Sequence, residues 1–257
     1  MRVRSMLTVI LLLAVRTAFA VDITECGQVI EANQVGRLRN DLQCAAGPTW
    51  PFSAQGVYLR PGAKLELNGF TIAGDGTGTG VVCGMPGARF RPCTIEGPGE
   101  VREFWAGINC GGCTIVVRDA AINAHVNGIY IPLAGKLVAK RVVASDNERS
   151  GIWAQRVRAT DVEASRNGDF GVSANATLQL KRLEATANGA PGVVGGIGRG
   201  RIVDSVITGN DIAGDGYDIV SVGSVRLTRT TCSRSGKLRY YSQEEFDVVG
   251  SFGCADD

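Results

Sequence analysis

Gly128-Ile129-Tyr130-Ile131, Gly151-Ile152-Trp153-Ala154 and Gly171-Val172-Ser173-Ala174 are three versions of one phrase. A glycine opens a short run in which every second residue is small or apolar, the period of a β-strand. The same opening stands at Gly56-Val57, Gly80-Val81, Gly107-Ile108 and Gly192-Val193. From Gly107 to Gly192 the intervals are 21, 23, 20 and 21 residues. A period of this length marks a repeat architecture, in which each unit closes its core only by stacking on its neighbours.

Aligned on these glycines, the units reveal two further alternating runs. The second reads Ile115/Val117, Leu137/Ala139, Val157/Ala159 and Leu178/Leu180. The third reads Ala120/Ile122, Val142/Ala144, Val162/Ala164 and Leu183/Ala185. Leu65, Leu67, Phe70 and Ile72 fit the same register near the start. Three short strands in a turn of about 21 residues predict an all-β fold, a single-stranded right-handed parallel β-helix (solenoid) of about eight coils. A leucine-rich repeat would need recurring Leu and a helix in each unit, and neither is present. At about 4.8 Å per coil the rod is roughly 40 Å long.

The ends read differently. Arg2 and Arg4 precede an apolar run from Met6 to Val15, and Ala18-Phe19-Ala20 offers small residues for cleavage. This is the pattern of a secretory signal peptide, with an apolar run too short to span a bilayer. The expected plan is a signal peptide over 1–20, an N-terminal cap over 21–50, the solenoid over 51–235 and a C-terminal capping tail over 236–257. The product is expected to be a secreted or periplasmic monomer with no membrane span. Loss of Arg2, Arg4 and Arg16 with the leader leaves 24 Lys and Arg against 25 Asp and Glu. That balance lacks the footprint of a nucleic-acid binder.

All eight cysteines lie beyond the leader, and export with an even count favours disulfides over metal ligation. Cys26 and Cys44 are expected to close the N-terminal cap, and Cys232 and Cys254 to pin the tail. For the other four the reading favours Cys83–Cys110 and Cys93–Cys113, since each pair shares a stacked slot about 4.8 Å apart. The competing arrangement is Cys83–Cys93 with Cys110–Cys113, and a Cys₄ zinc site is the third option.

Two polar columns run between the apolar ones. His125, Asn147, Asn167, Asn188 and Asn210 form a turn ladder, since Asn tolerates left-handed turns and bonds the amides above and below. The lone histidine is therefore read as a ladder member rather than a general base. Asp119, Arg141, Asp161, Arg182, Asp204 and Arg229 alternate in sign, and are expected to face outward on the third strand as an ion-pair ladder.

Cys26-Gly27, Asp41-Leu42-Gln43-Cys44 and Leu65-Glu66-Leu67-Asn68-Gly69-Phe70-Thr71-Ile72-Ala73-Gly74 resemble the entry into exported bacterial right-handed parallel β-helix proteins of the pectate-lyase-like superfamily. Asp218-Ile219-Val220, Thr231-Cys232 and Phe252-Gly253-Cys254 resemble their close. The resemblance implies the fold and a connection to polysaccharides. It carries no catalytic residue across. Pectate lyases call for acidic calcium ligands beside an outward Arg, polygalacturonases for three clustered Asp, and alginate epimerases for an Asp-rich motif with a His. None stands in register here, and the His of the family's Leu-Asn-Gly-His-Thr-Ile form is Phe70. Copper-site proteins of the NosD type share the repeat, but no free His/Met/Cys cluster stands here to hold copper.

Three surface features remain. Tyr130 and Trp153 share an outward column with Asn109 and Ser173, a platform for sugar rings unless a side loop from Gly84 to Pro92 covers it. Arg118, Lys136, Lys140, Arg156, Arg158, Lys181, Arg201 and Arg226 line the second strand, suited to an acidic polymer unless Glu163 and Glu184 neutralise them. Asp211, Asp215 and Asp218 crowd the last coil, where three carboxylates can hold Ca²⁺ or do acid–base work, or merely make turns. The balance favours a non-catalytic exported scaffold, without cofactor, that contacts extended polysaccharide or cell-surface glycan through Asn109, Tyr130, Trp153, Arg156 and Arg158. The competing class is a polysaccharide lyase or glycoside hydrolase.

Overall fold

Alternating runs, each ended by a residue that accepts a tight turn, wind as three parallel sheets around one apolar core. The computed structural model describes residues 20–45, 55–84, 91–123, 125–211, 216–241 and 246–255. The first sheet stacks Gln28–Ile30, Gln55–Leu59, Thr79–Cys83 and Ala106–Cys110, and runs on to Val193–Gly195 and Ile219–Ser221. The second begins with Ala20–Ile23, Val35–Leu38, Lys64–Glu66, Cys93–Glu96 and Thr114–Arg118, and ends with Arg199–Val203 and Ser224–Thr228. The third runs from Leu42–Gln43, Thr71–Ala73 and Glu100–Arg102 to Val206–Thr208 and Thr231–Cys232. Between these ends Asn127–Val143, Ile152–Glu163 and Val172–Thr186 pass unbroken through the corners and serve all three sheets. The result is a parallel solenoid of about eight turns, with no helix among the described residues.

The aligned apolar positions of the three central coils are all buried, from Ile129 and Ile152 to Leu183 and Ala185. Each buried Val, Leu or Ile contributes about 1.5–3 kcal/mol, so the core is a stack of small equal increments. Phe70 departs from the expected register and is only half-buried, packed against the core's edge. Residues 20–43 already belong to the parallel ladder, stacked in register with the coils that follow. At the other end Ser235–Tyr241 adds a parallel strand, then turns back against Phe246–Gly250 as an antiparallel pair.

The recurring glycine has a steric cause. A Cβ at Gly151 would stand 2.8 Å from Asn167 Nδ2, at Gly171 2.9 Å from Asn188 Nδ2, and at Gly192 2.6 Å from Asn210 Nδ2. Only a residue without a side chain lets the ladder amide sit beneath the first strand. The ladder itself is continuous: Asn147 Nδ2 donates to Asn167 Oδ1 (2.8 Å), Asn167 to Asn188 (3.0 Å), Asn188 to Asn210 (2.7 Å) and Asn210 to Asp218 Oδ1 (2.9 Å). It fills the corner between the third and first sheets.

The corner between the second and third sheets holds the Asp/Arg column. All six residues adopt left-handed φ angles of 47–57°, so they stand at the corner before the third strand rather than on it, with their side chains outward and paired as expected. Arg141 Nη2 donates to Asp119 Oδ2 and Arg182 Nη2 to Asp161 Oδ2, both at 2.8 Å, and Arg229 pairs with Asp204. The ladder therefore closes in discrete pairs.

The disulfides Cys26–Cys44 and Cys232–Cys254 form as expected, with Cα separations of 5.7 and 5.1 Å. The favoured pairing of the other four is overturned, and Cys83–Cys93 and Cys110–Cys113 form instead. Register explains this. Cys83 and Cys110 are stacked partners, but Cys93 stands opposite Ile115, two residues past Cys113. Cys93 thus has no stacked cysteine beside it and bonds within its own coil.

Candidate functional site

On the outer side of the first sheet, Val82, Asn109, Tyr130, Trp153, Ser173, Val194 and Val220 stand in register, one per coil. Tyr130 and Trp153 stack with ring centroids 4.8 Å apart and planes 18° from parallel. Each therefore turns one face toward the other, and the pair forms a stacked rib along the sheet. Trp105, from the turn before the first strand, meets Tyr130 edge-on at 5.5 Å and 76°. Trp105 is 41% exposed, so much of its indole remains open to solvent beside Tyr130. Sequence reasoning missed Trp105 because it lies outside the alternating columns. The available signal was a large aromatic in a turn slot that holds Val126 one coil on and Arg149 two coils on.

Beyond Trp153 the column changes character. Ser173 is buried, and Val194 and Val220 lie beneath Tyr217, with Phe170 and Val222 packed alongside. The Arg234 guanidinium sits 4.3 Å over the Tyr217 ring. Trp105, Tyr130 and Trp153 thus form one contiguous aromatic cluster, with Asn109 beside them and Tyr58 further along the same column beyond Val82. Most of the Gly84–Pro92 side loop lies outside the described residues.

Of the carboxylate trio, the two described members are engaged in hydrogen bonds within the fold. Asp218 is buried, and its two oxygens accept from Asn210 N, Asn210 Nδ2 and Ser233 N at 2.7–3.1 Å. It terminates the asparagine ladder. Asp211 accepts from Tyr217 N at 3.3 Å within a left-handed turn, and Asp215 lies outside the described residues. His125 occupies the other end of the ladder. Its Nδ1 accepts from Phe104 N (3.0 Å), which leaves Nε2–H to donate to Val101 O (2.9 Å). Burial pushes its pKa down to about 4. It is neutral, with both nitrogens engaged, and so serves the fold rather than proton transfer. The sulfurs of Cys83, Cys110 and Cys113 lie within 4.8 Å of one another, but all three are in disulfides and offer no thiolate to a metal.

The second sheet carries the basic residues in three stacked columns. Lys136 stands opposite Arg156, with Arg199 further along that line. Arg158, Gln179, Arg201 and Arg226 form the middle column, and Arg118, Lys140, Thr160 and Lys181 the third. The expected neutralising partners are elsewhere: Glu163 and Glu184 pair with each other on the third sheet, and Glu163 Oε1 accepts from Ser145 and Arg166. Arg156 turns into the corner and donates to Ala134 O at 2.8 Å, between the rib and the basic columns.

No protein-family profile and no curated protein matches the sequence. Among solved structures, the fold is similar to the A-module of the Azotobacter vinelandii mannuronan C-5 epimerase AlgE4, with 16% identity and a TM-score of 0.52 over 85% of this chain and 78% of that one. Pectate lyase Pel9A aligns over 86% of this chain and 66% of its own, at 14% identity and a TM-score of 0.44. The first likeness places the chain among parallel β-helix folds.

Proposed function

We propose that this protein is an exported, non-catalytic binding scaffold that holds an extended polysaccharide against the Trp105–Tyr130–Trp153 rib. The observation that carries this reading is the ring stack itself, one coil apart along the axis, with the 41% exposed Trp105 beside it. An indole face packs against the C–H face of a pyranose, while ring edges, which carry positive potential, suit hydroxyl oxygens. Asn109 adds amide hydrogen bonding on one flank and Arg156 a cation on the other. The leader-like residues 1–20 and the four disulfides support the exported part of this reading. The epimerase neighbour acts, by its name, on a mannuronan polymer. That likeness concerns fold, and the reading for this chain rests on the rings.

Catalysis finds little support, because the carboxylate and histidine candidates that can be described are engaged in hydrogen bonds within the fold. The test is a polysaccharide panel read by tryptophan fluorescence and affinity electrophoresis, with ultraviolet absorbance followed for unsaturated lyase products. Binding that Trp105→Ala or Trp153→Ala weakens by about tenfold, without turnover, is the expected result, since losing one stacking ring costs roughly 1–2 kcal/mol. Product formation abolished by Asp215→Ala would overturn the non-catalytic reading.

A further inference from the structure

We infer that the second sheet is a separate docking face for a linear acidic polysaccharide lying along the solenoid axis. From Thr114–Arg118 to Ser224–Thr228 the outward positions of this sheet hold nine cations and no carboxylate. None of the nine forms an ion pair among the described residues. The nearby carboxylates Asp119, Asp161 and Asp204 are held at the corner by Arg141, Arg182 and Arg229.

The same sheet behaves otherwise in its earlier coils. There Arg37 and Lys64 are matched by Glu66 and Glu96 through three ion pairs. A merely solvated face would be expected to continue that mixture. Instead Lys136 stands directly opposite Arg156, and Arg201 opposite Arg226. Like charges in directly opposed positions destabilise a sheet. A bound polyanion removes that repulsion.

Shape and chemistry narrow the occupant. The face is concave between Arg158, Gln179, Lys181 and Arg201, a hollow of about 470 Å³ whose corner side is closed by the paired Asp204 and Arg229. No outward residue here is aromatic, so there is no stacking platform for single-stranded nucleic acid. The large exposed apolar side chains nearby, Leu133 and Ile197, stand singly in the corner before the sheet rather than on it. What remains is an array of planar and point cations repeating about every 4.8 Å along the axis, which suits a chain with an anionic group on successive residues. Uronate carboxylates and sulfate esters share this chemistry. The face lies across a corner from the aromatic rib, so the inference stands whether or not the rib binds.

The experiment is affinity electrophoresis of the full chain in gels containing polygalacturonate, dextran sulfate, neutral dextran or a single-stranded oligonucleotide. Retardation by one or both anionic polysaccharides, but not by dextran, is expected, and it should weaken about tenfold or more between low salt and about 0.5 M. Retardation by polygalacturonate alone assigns carboxylates, and by dextran sulfate alone assigns sulfates. Arg158→Gln/Lys181→Gln/Arg201→Gln should lose about tenfold or more in affinity with an unchanged melting curve. If the triple variant melts early, Arg158→Gln/Arg201→Gln is read in its place. The inference is overturned if neither acidic polymer retards the protein, if the oligonucleotide binds more tightly, or if the charge variants bind like the parent.

Discussion

Two corners of the solenoid stack one polar residue per coil, and they do so in opposite environments. Between the third and first sheets, Asn147, Asn167, Asn188 and Asn210 are buried and linked end to end. Between the second and third, Asp119 to Arg229 line the surface and join only in pairs. Burial decides which column holds the coils together. A buried amide left without its partner incurs the full desolvation cost, whereas an exposed ion pair competes with water and salt. The uncharged column is therefore the structural spine, and the charged one chiefly sets register.

Breaking the spine should have the largest effect. Asn167 Oδ1 accepts from Asn147 N and Nδ2, and its Nδ2 donates to Ala144 O and Asn188 Oδ1. Asn167→Ala leaves several of these groups buried and unpaired, and should cost about 3 kcal/mol in urea unfolding. A loss below about 1 kcal/mol would show that water or a slight collapse repairs the gap.

The next effect belongs to His125 at the ladder's end. Its pKa is held near 4 by burial, against an ordinary 6.5. Between those values the unfolded chain binds a proton that the folded one refuses, so stability rises with pH across the window and falls as pH drops from 6.5 toward 4. The contribution reaches about 3 kcal/mol at most. His125→Asn, which extends the amide ladder, should flatten the pH dependence of unfolding over pH 4–6.5 relative to the parent. Equal slopes would place the histidine outside the core in solution.

The exposed corner should give the smallest change. Asp161→Asn removes the charge while keeping a residue that accepts the left-handed turn. Only a small loss is expected, disappearing in about 1 M salt. Hydrogen bonding to Arg182, opposed by some desolvation, holds the Asp161 carboxyl below its ordinary range. Any stabilisation is thus present at neutral pH and lost as pH falls through that lowered value. A loss as large as that of Asn167→Ala would erase the distinction between the corners.

Much of this was legible from spacing. Period-2 alternation marked which side of each strand faces inward, and the glycine interval set coil length. These are local properties, repeated so often that chance agreement was excluded. What escaped sequence reasoning depended on how coils abut. The two-residue offset between Cys93 and Cys113 shifted the disulfides, because turn lengths vary from coil to coil and registers do not follow from counting. Trp105 lies in a turn, where no periodicity points. The neutralising role expected for Glu163 and Glu184 failed for the same reason, since one corner separates them from the cations they were expected to meet.

The sequence by itself determined that the chain coils, where its core lies and which residues recur in stacked slots, because alternation and repeat length are written along the chain. Only the tertiary structure decided which stacked slots are buried, which rings lie face to face, which cysteines join and which cations remain unpaired. Those outcomes depend on distances between residues about 20 positions apart, set by the register of one coil on the next.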